Sequence, residues 1–421
     1  MRWLQFAIRQ SKVQKMPVVN PLGHDGNSNR AHVFLVDPIG GHGGMRELDL
    51  SLCSSLKRRG IDVTYVTCDE TDPKDSEVEV WTPFQGIYGP EAKWVRALRY
   101  WRGLWRLLAR VRACRREKRV LIHLQMFSPQ VLDFAFVLMA KWSGVPCLAT
   151  IHDVVPFGSR PYHMLFLKRF YRLLDGLVVH TVAAREELLR ITGNSDQAVG
   201  VIAHGHFNDI HQKECWPEQR AARESLGLPA HAPVTLFFGT IRREKGLKYL
   251  LQAMREVVKS TPEALLLIAG RPWHQDKSEY MELIASLDLG ANVQACWEFI
   301  PDSQVPLYFR AADVVALPYT HVYQSGVCFR AYAFGRPVVS SAIGGMGEIV
   351  LDTRTGFLVP PKDPQALAEA LLKVITHRDR AAAMGQAGRE WAAEACNWDT
   401  IAAKTIEIYG EVFQRTAKRR K

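Results

Sequence analysis

The stretch VTLFFGTIRREKGLKYLLQAMREVVKS, Val234 to Ser260, reads as three pieces. VTLFFGT is an apolar run of strand length, IRREKG a glycine-closed turn crowded with cations, and KYLLQAMREVVKS a helical segment. A strand that passes through such a turn into a helix is the first half of a βαβ unit, whose next strand lies parallel to the first.

The same grammar continues on both sides. Downstream come ALLLIAG, a helix YMELIASLDLG, then VQACWEF, DVVALPY, PVVSSA, TGFLVPP and a helix DPQALAEALLKVI. Upstream, AHVFLVD (31–37) runs into the glycine-rich turn IGGHGGM and a helix RELDLSLCSSLKRRG. DVTYVTC, VLIHLQM (120–126), CLATIHD (147–153), GLVVHT (176–181) and VGVIAHG (199–205) follow. The expected fold class is α/β: two doubly wound Rossmann-like domains facing each other across a cleft, with ligands at the carboxyl ends of the strands. The boundaries expected are 31–207 for the first domain and 208–395 for the second. Residues 1–30, which lack periodicity, form an N-terminal extension, and a C-terminal helix in 396–421 has room to cross back to the first domain.

Composition is that of a globular chain: 421 residues, 47% hydrophobic and 23% charged. The eight cysteines are scattered without a C-x-x-C pair, which suits buried thiols in a reducing compartment. MRWLQFAIRQSKVQK lacks the apolar core of a secretory signal, and FAFVLMA is cut off by Lys141 before it reaches spanning length. A cytoplasmic protein, soluble or held peripherally at the inner face of the plasma membrane, is expected.

The net charge of +11 is unevenly spread. Residues 91–119, EAKWVRALRYWRGLWRLLARVRACRREKR, hold eleven Lys or Arg against two Glu. On a helical wheel Trp94, Leu98, Trp101, Trp105 and Leu108 share one face, and Arg96, Arg99, Arg102, Arg106 and Arg110 the opposite one. A basic amphipathic helix with tryptophans on its apolar side has the composition of an in-plane membrane helix. The contacts expected with an anionic membrane surface are Trp94, Trp101, Trp105, Arg99, Arg102 and Arg106. The plainer alternative is a surface helix packing its Trp/Leu face on its own domain. Nucleic acid is not an expected partner, because the aromatics face away from the basic side and no nucleic-acid motif accompanies them.

Six segments in the second half occur in order: FFGTIRREKG, LLLIAGRP, FIPDSQVPLYFRAADVVALPY, QSGVCFRAYAFGRPVV, GGMGEIV and TGFLVPPKD. Together they resemble glycosyltransferase family 4, retaining enzymes of the GT-B fold that use nucleotide-sugar donors. The glycine-rich turn, TIHD and VIAHG of the first half agree, so the resemblance covers about residues 31–410.

The resemblance implies roles residue by residue. Lys245 corresponds to the family's diphosphate lysine, while the family's partner arginine falls on Thr240; Arg242 is the preferred replacement, ahead of Arg243. A diphosphate leaving group develops negative charge, so it needs cations and aligned backbone amides. Counted back from Gly335-Arg336-Pro337, the family's two glutamates fall on Val322, beside His321, and on Arg330. This chain therefore lacks the Glu-x7-Glu pair that holds donor-sugar hydroxyls and ribose. Ser325, Gly326 and Val327 are expected to offer a hydroxyl and consecutive amides to the diphosphate. Glu348, in GGMGEIV, is implied for the ribose; a helix N-terminal Glu stabilised by the macrodipole is its plainer reading.

In the first domain His152 is implied to face the donor sugar, which makes His152, Arg242 and Lys245 the catalytic set. Asp153 is an acceptor-side base if the reaction inverts. Gly41, Gly43 and Gly44, with Gly40, either permit close backbone approach to the donor or form a plain tight turn. His123, His180, His204 and His206 read as cleft-lining or structural. No D-x-D occurs and no ligand set has metal spacing, so no metal and no cofactor is assigned; the nucleotide sugar is a substrate.

The function implied is that of a metal-independent hexosyltransferase of polysaccharide or glycolipid biosynthesis. It would move a sugar from a nucleotide-sugar donor to a lipid-linked or saccharide acceptor, with retention. The missing glutamates keep an alternative open: a non-catalytic nucleotide-sugar-binding scaffold subunit of a polysaccharide assembly.

Overall fold

The computed structural model describes residues 31–38, 40, 44–69, 71, 77–156, 161–193, 197–207, 216–273 and 277–419. The extension 1–30, Gly41, Gly43 and Cys215 lie outside the described residues. The chain divides into two compact units, 1–205 with 395–421, and 206–394.

The first unit is built on strands β1 (Ala31–Val36), β2 (Asp62–Cys68), β3 (Glu79–Phe84), β4 (Arg119–Met126), β5 (Cys147–Ile151), β6 (Gly176–Val179) and β7 (Ala198–Val201). They form one sheet in the order β3-β2-β1-β4-β5-β6-β7, every pairing parallel. Val33 to Val36 are all buried, because a parallel strand is covered on both faces and reads as a continuous apolar run. β3 has no counterpart among the expected strands. It is the sheet's edge, half-exposed and interrupted by Pro83, so its pattern is weak.

The helix Trp398–Lys418 packs on the helix Met45–Arg58 and on β7, so the chain's last helix belongs to the first unit. Its N-terminus is capped by Asn397, whose side chain accepts from the Asp399 amide at 2.8 Å.

The helix Lys93–Cys114 corrects the expected wheel. Its buried stripe is Leu104, Leu107, Leu108 and Val111, set against β3 so tightly that a Cβ on Gly103 would lie 2.4 Å from the Phe84 ring. Leu108 is thus core and not part of the tryptophan face. Trp94 (68% exposed), Leu98 (59%) and Trp105 (45%) point outward instead, with Trp101 half-buried edge-on against Trp105. Arg102 and Arg106 share that exposed side. Arg99 turns inward to the Gly86 carbonyl (2.8 Å) and Glu91 (2.7 Å), and Arg110 to Glu79 and the Trp81 ring. The sheet selects the longer apolar stripe, and the tryptophans are left outside among arginines.

The second unit holds β8 (Val234–Phe238), β9 (Leu265–Ala269), β10 (Val293–Cys296), β11 (Val314–Leu317), β12 (Val338–Ser341) and β13 (Gly356–Val359). Their order is β10-β9-β8-β11-β12-β13, again wholly parallel. Leu250, Leu251, Met254 and Val257 of the helix Leu247–Ser260 pack in one core with Leu367, Leu371 and Val374 of the helix Pro364–Ile375. Both units are therefore doubly wound parallel sheets.

Candidate functional site

In an open parallel sheet, ligands gather where the connections from two neighbouring strands leave in opposite directions. In the second unit this point lies between β8 and β11. The turn Gly239–Gly246 leaves β8, and Pro318–Ser325 leaves β11. They are tied together: the Thr320 amide donates to the Glu244 carbonyl at 2.8 Å. Gly246 has φ +72°, and a Cβ there would fall 1.9 Å from the Pro318 carbonyl oxygen, so only glycine lets the two turns meet.

Three groups converge on the end of β8. The position a Cβ would take on Gly239 is 2.9 Å from Lys245 Nζ and 3.7 Å from Val327 Cγ2. Lys245 Nζ donates to the Phe238 carbonyl at 3.5 Å, and burial, then the neighbouring Arg242, lowers its pKa to about 8. Arg242 lies 4.8 Å over the Trp273 ring, whereas Arg243 reaches out to Glu279 at 3.7 Å. Thr240, in the partner arginine's place, is half-buried at the start of the same turn.

The helix Gly326–Ala333 starts beside Lys245. Here the expected role of Ser325 changes. Its buried hydroxyl is the N-cap, accepting from the Cys328 amide at 3.4 Å and bonded to the Tyr319 hydroxyl at 2.9 Å. The amides of Gly326 and Val327 remain as first-turn donors without an intrahelical acceptor. A Cβ on Gly326 would meet nothing within 4 Å. An ammonium, two amides and a helix's positive end beside open space form an arrangement suited to a diphosphate.

Arg330 of this helix is buried, 3.6 Å from Asp302, with its guanidinium 4.9 Å over the Phe207 ring. Glu348 is half-buried in the short helix Met346–Ile349. The preceding Gly344 lies against the Val322 carbonyl, so the glycine-rich loop abuts the segment where the family's first glutamate would stand.

In the first unit the switch point lies between β1 and β4. Gly44 opens the helix Met45–Arg58 at φ +80°, with no side-chain cap. A Cβ on Gly40 would strike Thr67, Cys68 and Thr71, so close packing on the end of β2 accounts for that glycine.

At the ends of β4, β5 and β6 alternate side chains on one face of the sheet form a buried polar cluster. His123 is bonded to Thr150 (2.7 Å) and to Tyr409 of the last helix (2.8 Å), and burial lowers its pKa to about 3. His152 contacts Gln125 at 3.0 Å through Nε2 and His180 at 3.0 Å through Nδ1, with the Phe127 ring stacked on it at 4.5 Å. Burial, then the proximity of His180, His204 and His123, holds His152 well below the usual imidazole range. Asp153 follows it, half-buried. His123, Gln125, Thr150, His152, His180 and His204, with Asp49, line a cavity of about 50 Å³ between the sheet and the helices Met45–Arg58 and Trp398–Lys418.

Two features escaped the sequence reading. Gln125 is a direct partner of His152, and its position two residues after His123 on one strand was the available signal. Asp37 and Asp49 form a buried carboxyl pair in which Asp49 is raised well above the carboxylate range, first by burial and then by Asp37. Nothing in the spacing of the two pointed to that pair. Among the described residues, no three His, Cys, Asp or Glu side chains are grouped to hold a metal ion, and no helix is long and apolar enough to cross a membrane.

Two family models match the chain: glycosyltransferase family 4 over residues 42–206 and glycosyl transferases group 1 over 218–391. A D-inositol 3-phosphate glycosyltransferase of Corynebacterium diphtheriae is 27% identical over 397 residues, covering 88% of this chain and 90% of that protein. D-inositol 3-phosphate glycosyltransferase 2 of Catenulispora acidiphila is 30% identical over 290 residues, covering 65% and 67%. Among solved structures, Anabaena HepE in complex with UDP-glucose superposes with a TM-score of 0.69 at 18% identity, over 92% of this chain and 98% of that one.

Proposed function

We propose that this chain, which belongs to glycosyltransferase family 4 and is a glycosyltransferase of the GT-B fold, uses a nucleotide-sugar donor. In this reading a hexose-type sugar passes to a lipid-linked or saccharide acceptor at the cytoplasmic face of a membrane, with retention. The observation that carries the reading is Lys245 Nζ at the end of β8, beside the first turn of the helix Gly326–Ala333. The sugar–phosphate bond breaks with the electron pair leaving on the diphosphate, and these groups oppose the charge that develops there. The leaving phosphate takes the acceptor's proton as the hydroxyl attacks from the same face. Retention then needs no enzymic base, so Asp153 has no required part. Glu348 is assigned to the ribose. HepE, with its bound UDP-glucose, supports a uridine nucleotide as the first donor to try.

The membrane half rests on exposed side chains. Trp94, Leu98 and Trp105 stand outward beside Arg102 and Arg106. Trp142, 84% exposed, stands next to Ser143, to which Arg112 of the same basic helix donates at 2.6 Å. Aromatics flanked by arginines suit an anionic interface.

The test is a panel of nucleotide sugars, read by thermal shift and by transfer to polyprenyl-linked saccharides in anionic vesicles. A bound donor raises the melting temperature by mass action. One nucleotide sugar should both stabilise the protein and be consumed. If none does either, the donor reading falls.

A further inference from the structure

We propose that His180 is a positioning residue that holds His152 as its Nδ1–H tautomer, leaving Nε2 as a lone-pair acceptor for a hydroxyl of a bound sugar. The proposal rests on the reading above for the sugar, but not for the tautomer.

The assignment follows from a chain of hydrogen bonds with one fixed end. His180 Nδ1 lies 3.0 Å from the Ile202 carbonyl oxygen. A carbonyl only accepts, so His180 Nδ1 carries the proton. Burial keeps this ring neutral, with a pKa lowered to about 4, so it has no second proton and its Nε2 must accept. The only group set against Nε2 in the relay is His152 Nδ1, 3.0 Å away, which is therefore the donor. His152 is held neutral as well, mainly by burial. Its remaining nitrogen, Nε2, is then bare.

The ring cannot easily escape this arrangement. Phe127 stacks against it at 4.5 Å and 16°, and the His204 ring stands edge-on to His180 at 5.4 Å. Gln125 Oε1 is placed 3.0 Å from His152 Nε2. Two acceptors cannot face each other, and an amide's O and N are told apart only by their hydrogen-bond network, so the proton order of the relay requires the carboxamide turned by half a turn, with its NH2 group on that lone pair. A sugar hydroxyl would take the place of this amide donor. The chemistry selects a donor group at that point of the sugar, since an ether or carbonyl oxygen would oppose the lone pair.

The test uses the full-length protein labelled with 15N-histidine, with the His152 signals identified by their loss in His152→Gln. The wild type should show a protonated Nδ1 and an unprotonated Nε2. In His180→Leu the acceptor is gone, and His152 should shift to the Nε2–H form, donating to Gln125. In His180→Gln a carboxamide can both accept from His152 and donate to Ile202, so the original tautomer should return. Turnover per donor concentration should fall about tenfold or more in the Leu variant, as when a buried polar group loses its partner, and recover in the Gln variant. An Nε2–H ring in the wild type overturns the proposal even if no variant folds. The stated tautomers with unchanged turnover in His180→Leu overturn the lone pair's role toward sugar. Wild-type protein that consumes no nucleotide sugar would strike the functional reading instead, and leaves the tautomer measurement unaffected.

Discussion

At the end of β8 in the second unit, a lysine lies beside the first turn of the helix Gly326–Ala333, where a Cβ on Gly326 would meet nothing within 4 Å. At the ends of β4 to β6 in the first unit, the polar groups face one another: His123 with Thr150 and Tyr409, His152 with Gln125 and His180, His180 with the Ile202 carbonyl. Both sheets are parallel and both switch strand order in the middle. The same wiring therefore supports opposite chemistry. One leaves a cation and a helix start at a strand end, the setting that the proposed donor site uses. The other is bonded within itself, and on the tautomer proposed above it presents a single lone pair at His152 Nε2.

The sharpest way to break this contrast is Lys245→Ala. If the second unit's site works by opposing charge, transfer should fall roughly a hundredfold or more while the melt hardly moves, because the one bond of Lys245 Nζ, to the Phe238 carbonyl, is long at 3.5 Å and its ammonium is disfavoured by burial. Near wild-type turnover in a steady-state assay would remove the lysine from the site.

Acid and base should act on different units. In the first, the unfolded chain binds protons on its histidines near the ordinary pKa of 6.5, whereas folded His180 does so only near about 4 and His123 near about 3. Folded histidines with lowered pKa values thus bind fewer protons than unfolded ones, so the unit loses stability as pH falls below about 6.5. Hydrogen exchange at β4 to β6 should accelerate at pH 5 relative to the amides of the second unit. In the second unit the change comes from base. Lys245 loses its charge as pH rises through about 8, so donor affinity by calorimetry should drop about tenfold from pH 7 to pH 9. Lys245→Arg should flatten that drop. A first unit indifferent to acid, or a donor site indifferent to base, would erase the distinction.

The smallest effect concerns the exposed helix Lys93–Cys114. Arg102→Gln or Arg106→Gln should each weaken binding to anionic liposomes about fivefold, the equivalent of about 1 kcal/mol per basic residue, with the melting temperature unchanged. Leu108→Ser should instead destabilise the first unit, since Leu108 is fully buried. Equal behaviour of the two kinds of variant would mean that the helix has no distinct outer face.

All strands but the half-exposed β3 were legible, because covered parallel strands are apolar on both faces and need no knowledge of their neighbours; Asp62–Cys68 could be read to its ends. The backbone settings of Lys245 and Gly326, a turn after a strand and the start of a helix, were legible for a similar reason, whereas their roles came from the family resemblance. Side-chain partners were not. Ser325 became a cap because Tyr319 and Cys328 are within its reach, and Arg330 turned to Asp302 and Phe207. The helix Lys93–Cys114 shows the limit most directly. Its sequence by itself determined that it is amphipathic and basic, but two apolar stripes competed for the core. β3, with Phe84 against Gly103, took Leu104, Leu107, Leu108 and Val111, and left the tryptophans outside. A local pattern sets backbone conformation through nearest-neighbour sterics and hydrogen bonds, whereas the choice of buried face, hydrogen-bond partner and tautomer depends on groups tens or hundreds of residues away, and only the tertiary structure brings these together.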